Sequence, residues 1–254
     1  MGNETARVWT AALIVIGDEI LSGRTQDRNI AQVASWLNVQ GIRLAEVRVV
    51  SDRPEAIVAA VNAMRSAHDY CFTTGGIGPT HDDITVDAVA QALGVEVVIH
   101  PEARAILERY YATRGGLNEG RLRMARVPDG AELLPNPVSG APGIRIGNLF
   151  LMAGVPHITA GMLDGLTGKL EGGRPLVSVT IGGFIPESEV AGLLHAAEKA
   201  NRGVSIGSYP FFRDGKVGSN FVIRAEDPAL AERVAGELGA VLSDAGYETV
   251  AGGI

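Results

Sequence analysis

The 254 residues include a single cysteine, Cys71. One sulfur closes no intrachain disulfide and builds no zinc cage, so a reducing, cytoplasmic setting is expected. Long apolar runs are missing as well. The longest, such as Ala11–Ile16, reach about a third of the span needed to cross a bilayer. The start, MGNETARVW, has no long apolar core behind a basic segment and is not read as a secretory signal. Positive charge is scarce: 22 Lys and Arg stand against 29 Asp and Glu, a net charge of −7. A phosphate-covered surface would repel such a chain, so neither nucleic acid nor a membrane is expected as partner. The five histidines, at 68, 81, 100, 157 and 195, never pair at metal-ligand spacing, which argues against a zinc site. A serine nucleophile elbow, a Walker A sequence and a Gly-x-Gly-x-x-Gly after the first strand are all lacking.

Apolar residues make up 46% of the chain and glycines number 33. That is ample core material, with many tight turns or close backbone approaches to a ligand. Ala11–Ile16, Leu44–Val50, Asp69–Thr74 and Val95–Ile99 read as strands. They alternate with helix patterns over Ile30–Leu37, from Pro54 through Met64, over Thr85–Leu93 with Thr85 as N-cap, and from Pro101 to Thr113. Strand–helix alternation of this kind predicts a mostly parallel sheet with helices on both faces. Residues 115–148 are rich in Pro and Gly, and either a functional excursion or a plain surface one would explain them. Leu149–Ala153 reads as a further strand and the stretch after Pro156 as a helix through Leu166. Thr167–Arg174 is polar and Gly-rich and marks a boundary between residues 1–170 and 175–254. Beyond it the order β-α-β-β-α-β, with Asp214-Gly215 as a hairpin turn, predicts a small α+β ferredoxin-like domain. Tyr209-Pro210 with Phe211-Phe212 is expected in its core or at an interface.

Ligands of parallel sheets bind beyond the carboxyl ends of the strands. Three loops fall there: 17–23, 50–53 and 75–83. Thr74, Gly75, Gly76, Gly78, Pro79 and Thr80 form a candidate phosphate loop in which the glycines aim backbone N–H groups and Thr74 and Thr80 their hydroxyls, aided by a following helix N-terminus. Asp82 and Asp83 beside them would repel that phosphate alone. They imply a bridging divalent cation, Mg²⁺ or a similar metal, or a general base working on water. A simple turn with capping aspartates is the plainer account. Asp52 ends the second strand and Asp18 and Glu19 follow the first; each is either a ligand or metal contact or an ordinary exposed acid. Asp27 and Asn29 suit helix capping. Cys71, inside an apolar strand, reads as core, and Trp36 as packing. Arg121, Arg123 and Arg126 form either a solvated helix face or an anion-binding edge.

Several of these segments resemble one family. Gly17-Asp18-Glu19-Ile20-Leu21-Ser22-Gly23, Asp27-x-Asn29, Thr74–Thr85 and Leu134-Pro135-Asn136-Pro137 with Ala141-Pro142-Gly143 resemble signatures of the CinA amino-terminal domain family. That family belongs to the wider molybdopterin-binding (MoaB/MogA-like) fold and is similar to the amino-terminal half of eukaryotic FAD synthases. The resemblance covers residues 10–165. It implies a three-layer α/β/α domain with a mostly parallel sheet that self-associates as a dimer or trimer. It also implies a phosphate site on Gly75, Gly76, Gly78 and Thr80, a functional acid at Asp83 and a second at Asp52. Asp18, Glu19, Asn29, Asn136, Ala141, Pro142 and Gly143 follow as ligand contacts, and Asp82 with Asp83 as metal contacts. Gly154-Val155-Pro156 departs from the commoner P-G-x-P, which puts the exit loop in question. A deamidase domain of the full-length family members is not present in these residues, so no nicotinamide-nucleotide deamidase activity is expected. Three functions stay open: metal-dependent pyrophosphate cleavage of a dinucleotide such as FAD or ADP-ribose, molybdopterin binding or adenylylation, and a non-catalytic assembly module. A pterin or flavin nucleotide is the ligand in the first two.

Overall fold

The computed structural model describes residues 7–254; residues 1–6, which include most of the segment read as lacking a secretory signal, lie outside them. The chain divides into two compact units, one ending at Gly173 and the other Arg174–Ile254. The first unit runs β1 (Trp9–Ile16), α1 (Asp18–Leu21), α2 (Asn29–Val39), β2 (Ile42–Val50), α3 (Pro54–Ala67), β3 (Tyr70–Thr74) and α4 (Thr85–Leu93). It continues with β4 (Val97–Ile99), α5 (Pro101–Tyr111), α6 (Glu119–Arg123), β5 (Arg126–Pro128), β6 (Glu132–Leu134), β7 (Gly143–Ile146), β8 (Leu149–Met152) and α7 (Pro156–Asp164).

A six-stranded sheet in the order β2-β1-β3-β8-β7-β6 forms its centre. The β2, β1, β3 and β8 strands are parallel, while β7 and β6 run antiparallel at one edge. Alternation along β1 builds two cores. Ala12, Ile14 and Ile16 face α3 and α4, where Ile57, Val61, Met64 and Val89 meet them. Ala11, Leu13 and Val15 face α2 and α7 through Val33, Leu37, Met162 and Leu163. A strand covered on both faces has no use for polar residues, which is why it reads as a continuous apolar run. The three-layer α/β/α architecture follows directly.

Val97–Ile99 corrects one expectation. It does not join the parallel sheet but pairs antiparallel with β5 in a two-stranded sheet of its own. With Val98 37% and Ile99 42% exposed, it is not sandwiched by helices. The place beside β3 goes to β8, whose four residues Leu-Phe-Leu-Met are all buried. Thr85 is a second correction. Ile84 occupies the N-cap position of α4, and the Thr85 hydroxyl donates instead to the Gly75 carbonyl at 2.9 Å. Gly94 closes α4 in the left-handed conformation, φ 70°, as a glycine stop should. Cys71 is fully buried, and burial pushes its thiol up to about 12, so it is core and not a nucleophile.

The second unit runs β9 (Val177–Gly183), α8 (Glu187–Ala200), β10 (Val204–Arg213), β11 (Lys216–Ala225), α9 (Pro228–Asp244) and β12 (Val250–Ala251). Its antiparallel sheet has the order β10-β11-β9-β12, the ferredoxin-like arrangement of a β-α-β-β-α-β chain. Asp214 and Gly215 form the two-residue turn, both with positive φ. Phe221, Ile223, Val234 and Leu238 form the core. Tyr209 and Phe212, expected in that core or at an interface, are not part of the core: they are 47% and 74% exposed. Strand β10 lies at the sheet edge, where Pro210 costs no ladder hydrogen bond. Among the described residues no helix is long and apolar enough to cross a membrane.

Candidate active site

Because β1, β2, β3 and β8 are parallel, their carboxyl ends share one sheet edge. Chain order reverses there between β1 and β3: β2 lies outside β1 on one side, and β3 and β8 on the other. Side chains and loops from both halves diverge at such a point and leave a crevice. A cavity of about 690 Å³ opens there.

The loops that wall it are tied by short contacts. Gly17 N–H donates to Val50 O at 3.2 Å and Gly75 N–H to Met152 O at 3.1 Å. Asp18 N–H donates to Asp52 Oδ2 at 2.8 Å, which binds the first loop to the end of β2. Asp52 is thus more than an acid ahead of Pro54. The Asp83 carboxylate accepts from Thr80 N–H at 2.8 Å and from the Thr80 hydroxyl at 2.5 Å, folding residues 80–83 into a closed turn. Asp82 is exposed, and its carboxyl is held below the ordinary carboxylate range, first by the Thr80 side chain and then by its own backbone N–H.

One glycine is required by the approach of the backbone, and a second lies against a side-chain carboxylate. At Gly75, φ is 102°, and a Cβ would press into the Ile16 carbonyl oxygen. At Gly78 a Cβ would stand 2.6 Å from Asp83 Oδ2 and push the carboxylate away. Gly75→Ala should therefore cost about 2 kcal/mol or more in backbone strain alone. Thermal melting should fall by roughly 4–8 °C, at 2–4 °C per kcal/mol for a unit of this size. A melt within about 1 °C of the parent would mean the loop relaxes freely.

Most of the sequence-named residues meet at this cavity. Thr74, Gly75, Gly76, Gly78, Pro79, Asp82, Asp83, Asp52, Glu19, Asn29, Asn136, Ala141 and Pro142 all line it. Thr80, Asp18 and Gly143 do not. Thr80 and Asp18 act one step back, on Asp83 and Asp52, and Gly143 begins β7. Asp27, read as a capping residue, accepts from Ile30 N–H at 2.8 Å and also lines the cavity. Asn29 caps nothing: its amide nitrogen donates to the Gly154 carbonyl at 2.8 Å. This leaves Asn29 Oδ1 buried without a partner in a side chain only 3% exposed, and Thr74 Oγ1, on a residue 1% exposed, is equally unpartnered. Such orphaned groups cost about 1–3 kcal/mol each unless water or a ligand satisfies them.

Each arginine of the trio has a protein partner. Arg126 pairs with Asp87, Arg123 donates to the Asp83 carbonyl at 3.4 Å, and Arg121 donates to the Gly116 carbonyl and lies over Tyr111. Only Arg123 touches the 75–83 loop; Arg126 holds α4 through Asp87, and Arg121 holds the turn at Gly116. Sequence reasoning missed Arg28, Tyr111, Met124 and Ser139, all cavity residues. Only Arg28, the middle residue of the Asp27-x-Asn29 signature, carried a nearby signal. The departure at Gly154-Val155-Pro156 proves compatible with the site: all three residues line the cavity, and Pro156 opens α7.

Residues 12–171, well over half of the chain, match the family described as "Probable molybdopterin binding domain". The chain belongs to that family. Residues 175–250 match "FAD synthase, middle domain". A protein from Aeropyrum pernix is 38% identical over 217 residues, covering 82% of this chain and 80% of its own. A CinA-like protein from Citrifermentans bemidjiense is 35% identical across 89% of this chain, which spans 56% of that longer relative. The crystal structure of the protein CinA from Thermoplasma acidophilum superposes with a TM-score of 0.59 at 31% identity, covering 64% of this chain and 99% of that one. These relatives make this a CinA-like member of the molybdopterin-binding domain family, with its signature loops on one cavity.

Proposed function

We propose that this molybdopterin-binding-type domain is a metal-dependent dinucleotide pyrophosphatase acting on a ligand of the FAD or ADP-ribose class. The observation that carries this reading is the charge of the cavity. Glu19, Asp27, Asp52, Asp82 and Asp83 line it together with one cation, Arg28. A diphosphate entering such a space needs countercharge brought with it.

Among the described residues no three His, Cys, Asp or Glu side chains stand together as a ready ion cage. The donors present fit a different arrangement, in which Mg²⁺ arrives on the phosphates and takes only one or two carboxylates from the protein. Asp83 and Asp82 would hold it, with Asp52 across the loop. Bound there, the cation would neutralise charge developing on the phosphate oxygens.

The chain's own groups do the rest. Gly76, Ile77 and Gly78 offer backbone donors to the diphosphate, since the Gly75 and Thr80 N–H groups are engaged within the protein, and α4 adds its N-terminal partial charge. Water adds to phosphorus and the bridging P–O bond breaks. The bridging oxygen leaves with the electron pair, and a carboxylate accepts the proton of the water. Asp52 suits that last role, since one of its oxygens is already fixed by Asp18 N–H. The likeness of residues 175–250 to the FAD synthase middle domain favours a flavin dinucleotide within the class.

The match to a molybdopterin-binding description supports a second reading, binding or adenylylation of molybdopterin in the same cavity. A screen of FAD, ADP-ribose, and ATP with molybdopterin, each with and without Mg²⁺, decides between them. Release of two nucleoside or sugar monophosphates is the expected result. Adenylylated pterin with no cleavage would favour the second reading. No binding of any of them by calorimetry would sink both and leave an assembly role.

A further inference from the structure

We propose that Tyr111 is the stacking platform for the planar heteroaromatic ring of the ligand, and that stacking rather than edge hydrogen bonding selects that ring. The inference rests on the nucleotide reading above and adds the end of the ligand that the acids and glycines do not address.

Tyr111 is the last residue of α5, half-buried, and borders the same cavity as the 75–83 loop. Its ring is fixed before any ligand arrives. The Arg121 guanidinium carbon lies 4.2 Å from the ring centroid, and the guanidinium is itself anchored on the Gly116 carbonyl. Tyr110 meets the ring edge-on, with centroids 5.0 Å apart at 87°. A ring held this way surrenders little freedom when a second ring stacks on it. Met124, Ala141 and Pro142 add apolar wall to the cavity. A phosphate gains nothing from such a surface; a flat ring gains its whole face.

The Asn136 amide, which lines the cavity with Ala141 and Pro142, is already spent. Asn136 donates to the Ser139 hydroxyl and to the Ala141 carbonyl, both at 2.7 Å, and its oxygen accepts from Val138 and Ser139 N–H. An amide so fully engaged cannot read the donor and acceptor pattern of a ring edge. The platform therefore accepts adenine and isoalloxazine alike, as stacking surfaces do.

Calorimetry with FAD, ADP-ribose and ringless inorganic pyrophosphate, all with Mg²⁺, tests this on the full chain. Y111L should weaken FAD and ADP-ribose about ten- to hundredfold and leave pyrophosphate within about twofold. Y111F should hold all three near the parent. R121Q, which frees the ring without removing it, should weaken the two ring-bearing ligands by a smaller factor, and it serves as the test if Y111L melts early. Equal binding of FAD by parent, Y111L and R121Q overturns the platform and leaves the nucleotide reading intact. Equal weakening of all three ligands overturns it too, because a loosened cavity would do that. A parent that binds none of the three brings down the nucleotide reading, and the platform with it.

Discussion

Asp83→Asn is expected to lower phosphoanhydride cleavage by about 10²–10⁴-fold while the melting temperature stays within a few degrees of the parent. The substitution keeps the shape of the group. Asp83 uses one oxygen to accept from Thr80 N–H and the Thr80 hydroxyl, and an asparagine carbonyl can accept the same two bonds. The turn over residues 80–83 should therefore survive, as should the Arg123 contact, which reaches the Asp83 backbone and not its side chain. Only the negative charge is lost, and with it the hold on a cation. Steady-state turnover of FAD or ADP-ribose across a Mg²⁺ titration reads this directly. Turnover equal to the parent at every Mg²⁺ concentration would remove Asp83 from the mechanism. A parallel drop in melting temperature of about 5 °C or more would show that the residue is structural instead.

The second large effect concerns stability. Phe150→Ala should cost about 3–5 kcal/mol. Phe150 sits in the middle of β8, fully buried. Its ring stacks on Phe72 at 4.9 Å and 20°, and Tyr70 meets it edge-on at 6.1 Å. Phe72 in turn takes Trp36 on its edge at 6.2 Å. Four aromatic side chains thus join β3, β8 and α2 in one block, and removing Phe150 leaves a hole that neighbouring strands cannot close. At 2–4 °C per kcal/mol for a unit of this size, melting should drop by roughly 6–20 °C. Phe150→Leu should lose much less, because it keeps most of the volume. A Phe150→Ala loss below about 1 kcal/mol would mean that the core repacks around the gap.

Much of this protein was legible in its residues alone. Ala11–Ile16 reads as a strand buried on both faces because nothing in it tolerates water, and both cores confirm why. The glycines at 75, 76 and 78 announce a loop that side chains would block. The Asp214-Gly215 turn needs only the φ preferences of two residues. These are short-range signals, set by steric and hydropathic rules within a few residues of each other.

The tertiary structure decided what sequence distance hides. Whether the apolar run at 97–99 or the one at 149–152 stands beside β3 depends on which can be covered on both faces, a property of the assembled layers. Asn29 and Thr74 look like a helix cap and a strand end; packing alone leaves each with an unpartnered buried oxygen. Tyr111 carries no motif, and it becomes a wall of the cavity because α5 and the 115–148 excursion fold back over the strand ends. The sequence determined the first three strands, the tight turns and the glycine loop at 75–78, since backbone geometry and hydropathy act locally. Which charges and rings share one cavity was settled only by the order of strands in the sheet, because that order brings together residues more than a hundred positions apart.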